Sequence, residues 1–119
     1  MGNTSDAFSL ARSGNTFTAA TLLKEEFEIM RSSPQRVDLC EWIAHCFYQL
    51  EQFDEAGTWY ETAGQLLLGE PSTPLQLKAL NAVVEYEKAL ECYRNASDED
   101  AVTECSSMLN EIRKACASA

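Results

Sequence analysis

Basic residues are scarce in this chain. It has 9 Lys and Arg against 19 Asp and Glu, and a single histidine. The resulting net charge of −10 repels phosphate backbones and anionic headgroups, which argues against nucleic-acid and membrane-surface partners. Glycine and proline are also few, 5 and 3 residues, and none of the glycines forms a phosphate-binding loop. Apolar runs stop at three or four residues, as at 66–68, well short of the ~20 that a membrane span requires. No long alternating β-branched run is present, so strands are not expected. The opening MGNTSDAF lacks the basic and apolar regions of a secretory leader, and Asp6 stands where a myristoylation motif wants Ser or Thr. The five cysteines (Cys40, Cys46, Cys92, Cys105, Cys116) form no close C-x-x-C pair, and each falls at or beside an apolar helical position. They read as buried free thiols in a reducing, cytoplasmic compartment.

What is present is helical periodicity. At 119 residues the chain has room for one core, so 1–119 is read as a single domain. Six helical segments are expected, making an all-α fold. The first covers about Ser5 to Ser13 and stops at Gly14-Asn15. The second covers about Thr16 to Arg31, with Phe17, Ala20, Leu23, Phe27 and Met30 at helical spacing. It ends before Ser32-Ser33-Pro34. The third runs from about Gln35 to Leu50 and the fourth from Phe53 to Leu68. After the loop 69–74, Thr73 is expected to cap a long fifth helix with Pro74 at its first position, reaching Asn95. Its inward residues are Ala79, Val83, Tyr86, Leu90 and Tyr93. The last helix starts at 97–100, where acids suit the helix dipole, and carries Ala101, Cys105, Met108, Ile112 and Cys116 on one stripe.

The segments pair as hairpins. The second and fourth helices superpose at an offset of 36, matching Phe17 with Phe53, Ala20 with Ala56 and Phe27 with Ala63. The sixth matches only at an offset of 45, through 98–101. Residues 39–67 carry small residues (Ala44, Ala56, Ala63) between large ones (Phe47, Phe53, Tyr60). This stretch resembles a tetratricopeptide repeat. The chain departs from that pattern at Cys40, where the family has Trp, at Leu68, where it has Pro, and at Lys24 and Cys105, where aromatics belong. YETAGQL and YEKALECY also resemble the longer repeats of SNAP-type vesicle-fusion adaptors. The resemblance implies three antiparallel hairpins (about 4–33, 36–69 and 74–117) in a right-handed superhelical stack. The first helix of each pair would line a concave groove.

That groove is the expected site. Asp38, Glu41, Trp42, His45 and Gln49 recur at spacings of three or four on the third helix, and Lys78, Asn81, Glu85 and Lys88 do so on the fifth. Ser5, Ser9 and Arg12 are placed to face the same way. Trp42 is the candidate apolar anchor, since tryptophan is enriched at binding hot spots. It has equal standing as a residue packed against a neighbouring helix. Glu41 and Asp38 are the candidate acidic partners. Some tetratricopeptide proteins grip a C-terminal carboxylate with basic groove residues. Glu41 and His45 at the matching places argue against that and for a basic or amphipathic helical segment. The expected function is therefore protein–protein interaction, as an adaptor or chaperone-like scaffold. One alternative is a self-assembling unit, dimerising through Val102, Met108, Leu109, Ile112 and Cys116 of the last helix. Another is a cysteine-based redox protein. No enzyme activity, cofactor or metal is expected. Cys40, His45 and Cys46 point in three directions on one helix, because each residue advances ~100°.

Overall fold

The computed structural model describes residues 16–29 and 35–118. Among them are five helices: α1 (Thr16–Ile29), α2 (Gln35–Gln49), α3 (Phe53–Leu68), α4 (Leu75–Asn95) and α5 (Glu99–Ser118). No described residue is in a strand. The helix expected over Ser5–Ser13, with Ser5, Ser9 and Arg12, lies outside the described residues. So does Met30. The other five segments fall where periodicity placed them, within about two residues at each end.

Packing runs in chain order: α1 on α2, α2 on α3, α3 on α4, α4 on α5. The Cα envelope measures 45 × 35 × 19 Å, two helices thick along its short axis. Two clusters of buried side chains share α3 as a wall. One joins Ala19, Leu23 and Phe27 of α1 with Leu39, Ile43, Cys46 and Phe47 of α2 and Ala56 and Ala63 of α3. The other joins Ala79, Tyr86 and Tyr93 of α4 with Cys105, Leu109 and Ile112 of α5. Tyr60 of α3 packs against both.

The α3–α4 contact depends on two glycines. Gly57 and Gly64 sit one above the other on α3, two turns apart. Tyr93 and Tyr86 have the same separation on the antiparallel α4. Each ring lies where a side chain on the glycine would be. A Cβ on Gly57 would stand 2.7 Å from Tyr93 Cε1, and one on Gly64 2.7 Å from Tyr86 Cε2. The small residues legible in the sequence, Ala56 and Ala63, are buried on the other flank against α1 and α2.

The two hairpin turns are alike. After α2, the Gln52 N–H donates to the Phe47 carbonyl at 2.9 Å and Glu51 takes a left-handed φ of 60°. After α4, the Asp98 N–H donates to the Tyr93 carbonyl at 3.1 Å and Ser97 takes a φ of 58°. Both close the helix by a bond from the residue beyond the left-handed position back across the last turn. The left-handed residues, Glu51 and Ser97, are 46 apart in sequence, where matching 98–101 to the fourth helix gives 45. The same shift relates the buried residues of α2 to those of α4: Leu39 to Glu85, Cys40 to Tyr86, Ile43 to Ala89, Cys46 to Cys92 and Phe47 to Tyr93. In this register α4 extends about a turn and a half before the start of α2. That extension leaves Leu75, Leu77 and Leu80 exposed.

One helix start differs from expectation and one agrees with it. Pro74, not Thr73, holds the position before α4; its ψ of 144° is extended and it makes no side-chain cap. Asp98 caps α5, its Oδ1 accepting from the Ala101 N–H at 3.1 Å. On α5, Met108 is 37% exposed and Leu109 takes the buried position beside Cys105 and Ile112.

Candidate functional site

A cleft of about 260 Å³ opens between α2 and α4, lined by Val37 and Glu41 of α2, Asn81, Val84 and Glu85 of α4, and Leu67 of α3. Helical spacing explains the convergence. Val37 and Glu41 are one turn apart on the side of α2 facing α4, as Asn81 and Glu85 are on α4. The walls are apolar (Val37, Leu67, Val84) and the polar groups are two carboxyls and an amide.

Glu85 is the exceptional residue. It is only 5% exposed, the one buried charged side chain among the described residues. It occupies the position that corresponds to Leu39 in α2. Its Oε1 is buried without a hydrogen-bond partner. Burial pushes its carboxyl up to about 8. The Glu41 carboxyl adds to the rise by sharing a hydrogen bond with the protonated form and repelling the charged one, against a downward pull from Lys88. Glu85 therefore keeps its proton near neutrality. Lys88 Nζ stands 3.8 Å from Glu41 Oε2, half-exposed, and 5.5 Å from the centroid of the Tyr60 ring. At that distance the ion pair is loose and solvent-screened.

The residues expected to share one groove divide into three groups. Glu41, Asn81 and Glu85 converge on the cleft, and Lys88 borders it through Glu41. Asp38, Trp42, His45 and Gln49 are exposed along α2 outside the cleft lining. Trp42 is 40% exposed and meets the His45 ring edge-on at 6.3 Å between centroids. One residue beyond Glu41, it is turned ~100° away and so lies on the other flank of α2. Lys78 is committed elsewhere: its Nζ donates to the Glu70 carbonyl at 3.2 Å, bracing the loop before α4. Glu85, expected on the polar groove stripe, is in the cleft but buried. The apolar wall residues Val37, Leu67 and Val84 were not singled out. Their signal was the pairing of α2 with α4 in the 46-residue register.

The thiols offer little nucleophile chemistry. Cys40, Cys46, Cys92 and Cys105 are buried and Cys116 partly so. Burial pushes Cys40 up to about 12 and Cys92 and Cys105 up to about 11, and raises Cys46. Groups held this high stay as neutral thiols near pH 7. Cys105 Sγ spends its proton on the Tyr86 carbonyl at 3.2 Å. Cys40 and Cys46 are buried while His45 is exposed, so the three do not converge. Among the described residues no group of three or more His, Cys, Asp or Glu is placed to hold a metal ion. A wider depression of about 520 Å³ at the α4–α5 turn is lined by Arg94, Ser97, Glu99, Val102 and Thr103, none of them buried.

No family model, curated protein or solved structure matches the chain. No helix among the described residues is long and apolar enough to cross a membrane.

Proposed function

We propose that this chain is a protein-interaction module, a cytoplasmic adaptor or chaperone-like scaffold of tetratricopeptide type. Its α2–α4 seam receives a basic amphipathic helical segment of a partner protein. The observation that carries the reading is the cleft itself. At about 260 Å³ it falls below the ~300–1,000 Å³ of small-ligand pockets and suits one protruding side chain. Beside it, Leu77, Leu80 and Val84 form an exposed apolar stripe on α4, 51%, 63% and 49% exposed, at spacings of three and four. An apolar stripe next to an acidic cleft is complementary to a helix with apolar and basic residues on adjoining faces. The repeated turn and burial register support a hairpin array, in which neighbouring first helices naturally flank such a seam.

Self-association through the last helix finds less support. Leu109 and Ile112 are buried against α4, and Met108 is the one large exposed apolar side chain of α5 among the described residues.

The test is selection of helical peptides from a displayed random library on the immobilised chain, with Val84→Asp as the counter-target. The reading expects basic amphipathic peptides whose affinity falls at least ~10-fold on Val84→Asp and weakens with salt. Acidic peptides, or peptides that bind both targets equally, would remove it.

A further inference from the structure

We infer that the Glu41–Glu85 pair is a receptor for a single cationic side chain, a guanidinium or ammonium of the partner segment. This rests on the groove reading above and names the chemistry of its anchor.

Three observations meet here. Glu85 is more than nine-tenths buried, lines the cleft, and has an oxygen with no hydrogen-bond donor. A buried acceptor left unpaired is costly, and a position equivalent to Leu39 gives no packing reason for a carboxyl. The cation already present does not satisfy it: Lys88 reaches only toward Glu41, at 3.8 Å, with its ammonium also over the Tyr60 ring. Finally, Glu41 sits half-buried at the cleft beside Glu85, so an entering cation meets one carboxyl before the other. A planar guanidinium has donors for both.

The exchange balances simply. Below its midpoint the free protein holds one proton on Glu85; the complex holds one cation between two carboxylates, and that proton is released to solvent. Binding therefore strengthens as pH rises. The other titratable groups around the pair stay neutral across the useful range: burial pushes both Tyr60 of α3 and Cys40 of α2 up to about 12. Lys88 of α4 remains the charged neighbour.

The probe is n-propylguanidinium chloride, added to the full isotope-labelled chain and followed by NMR of the backbone amides and the Glu side-chain carboxyl carbons. Sodium chloride at equal concentration is the control. At pH 9 the inference expects saturable shifts confined to Glu41, Asn81, Val84 and Glu85. With a proton competing at a midpoint near 8, apparent affinity should fall at least ~10-fold, and up to ~100-fold, on going to pH 6. Glu85→Gln keeps the size and the bond to Glu41 and should abolish both the localised shifts and their pH dependence, with helicity unchanged. Glu41→Gln should do the same, which guards against a folding defect in either variant. Shifts scattered over the acidic surface, or equal at the two pH values, would overturn the inference. A library-selected peptide that binds wild type and Glu85→Gln equally at both pH values would overturn it too, while leaving the groove reading in place.

Discussion

Gly64→Ala is the sharpest test of how α3 and α4 fit together. In an ordinary helix interior this change stabilises by about 1 kcal/mol, because alanine loses less backbone entropy. Here the new methyl would stand 2.7 Å from Tyr86 Cε2 and 2.9 Å from Cδ2. The ring cannot swing aside at low cost: Tyr86 is 1% exposed and packed between Ala79, Ala82, Ala89 and the α5 residues Cys105 and Leu109. Overpacking of this kind costs about 1–3 kcal/mol and cancels or outweighs the propensity gain. The expected net effect is a loss of up to about 2 kcal/mol in place of the usual gain, read from the urea midpoint at unchanged slope. Gly69→Ala is the internal control. Its nearest neighbour would be the Gln65 carbonyl oxygen at 3.4 Å, and its φ of −81° suits any residue. That variant should gain about 0.4–1 kcal/mol. Pairing Gly64→Ala with Tyr86→Leu, which removes the obstructing ring edge, should cost less than the two single changes together. A Gly64→Ala protein about 1 kcal/mol more stable than wild type would refute the close approach of these helices.

Stability should fall as pH rises from about 4.5 through about 8, because Glu85 binds a proton more tightly folded than unfolded. The protonated form's advantage is complete below the ordinary carboxyl range and gone above about 8, a span worth on the order of 5 kcal/mol at ~1.4 kcal/mol per pH unit. Urea midpoints measured from pH 4.5 to 9 should show this decline and should show it flattened in Glu85→Gln; parallel curves would contradict it. Glu51→Gly should stabilise by about 0.5–1 kcal/mol in thermal or urea unfolding, since Glu51 holds a φ of 60° that favours glycine. Asp98→Ala should cost about 1 kcal/mol by loss of the cap on Ala101.

Local signals carried the helix positions. Ser32-Ser33-Pro34 and the 69–74 loop punctuate the chain, and apolar spacing between them marks α1 to α5 closely. What stayed hidden depends on partners far along the chain. Gly57 and Gly64 read as weak helix residues until Tyr93 and Tyr86 are seen to occupy the space above them. Helical spacing puts Glu85 on the polar groove stripe but does not show that it is buried. Only the 46-residue register, fixed by the turns at Glu51 and Ser97, places it at a core position. Trp42 shows the limit of periodicity, which set its face on α2 but not its separation from the cleft.

The buried sulfur atoms turn the molecule into its own recorder of opening. Cys40 and Cys46 lie with α1, α2 and α3, Cys105 lies between α4 and α5, and Cys92 reaches back from α4 into the first cluster. A thiol reagent can reach each one only when the helices around it part. If α5 peels away alone, Cys105 is modified while Cys40, Cys46 and Cys92 stay protected; if the array lets go as a unit, all four react at one rate. The order in which these sites are modified therefore distinguishes a chain that unfolds from one end from a chain that unfolds all at once.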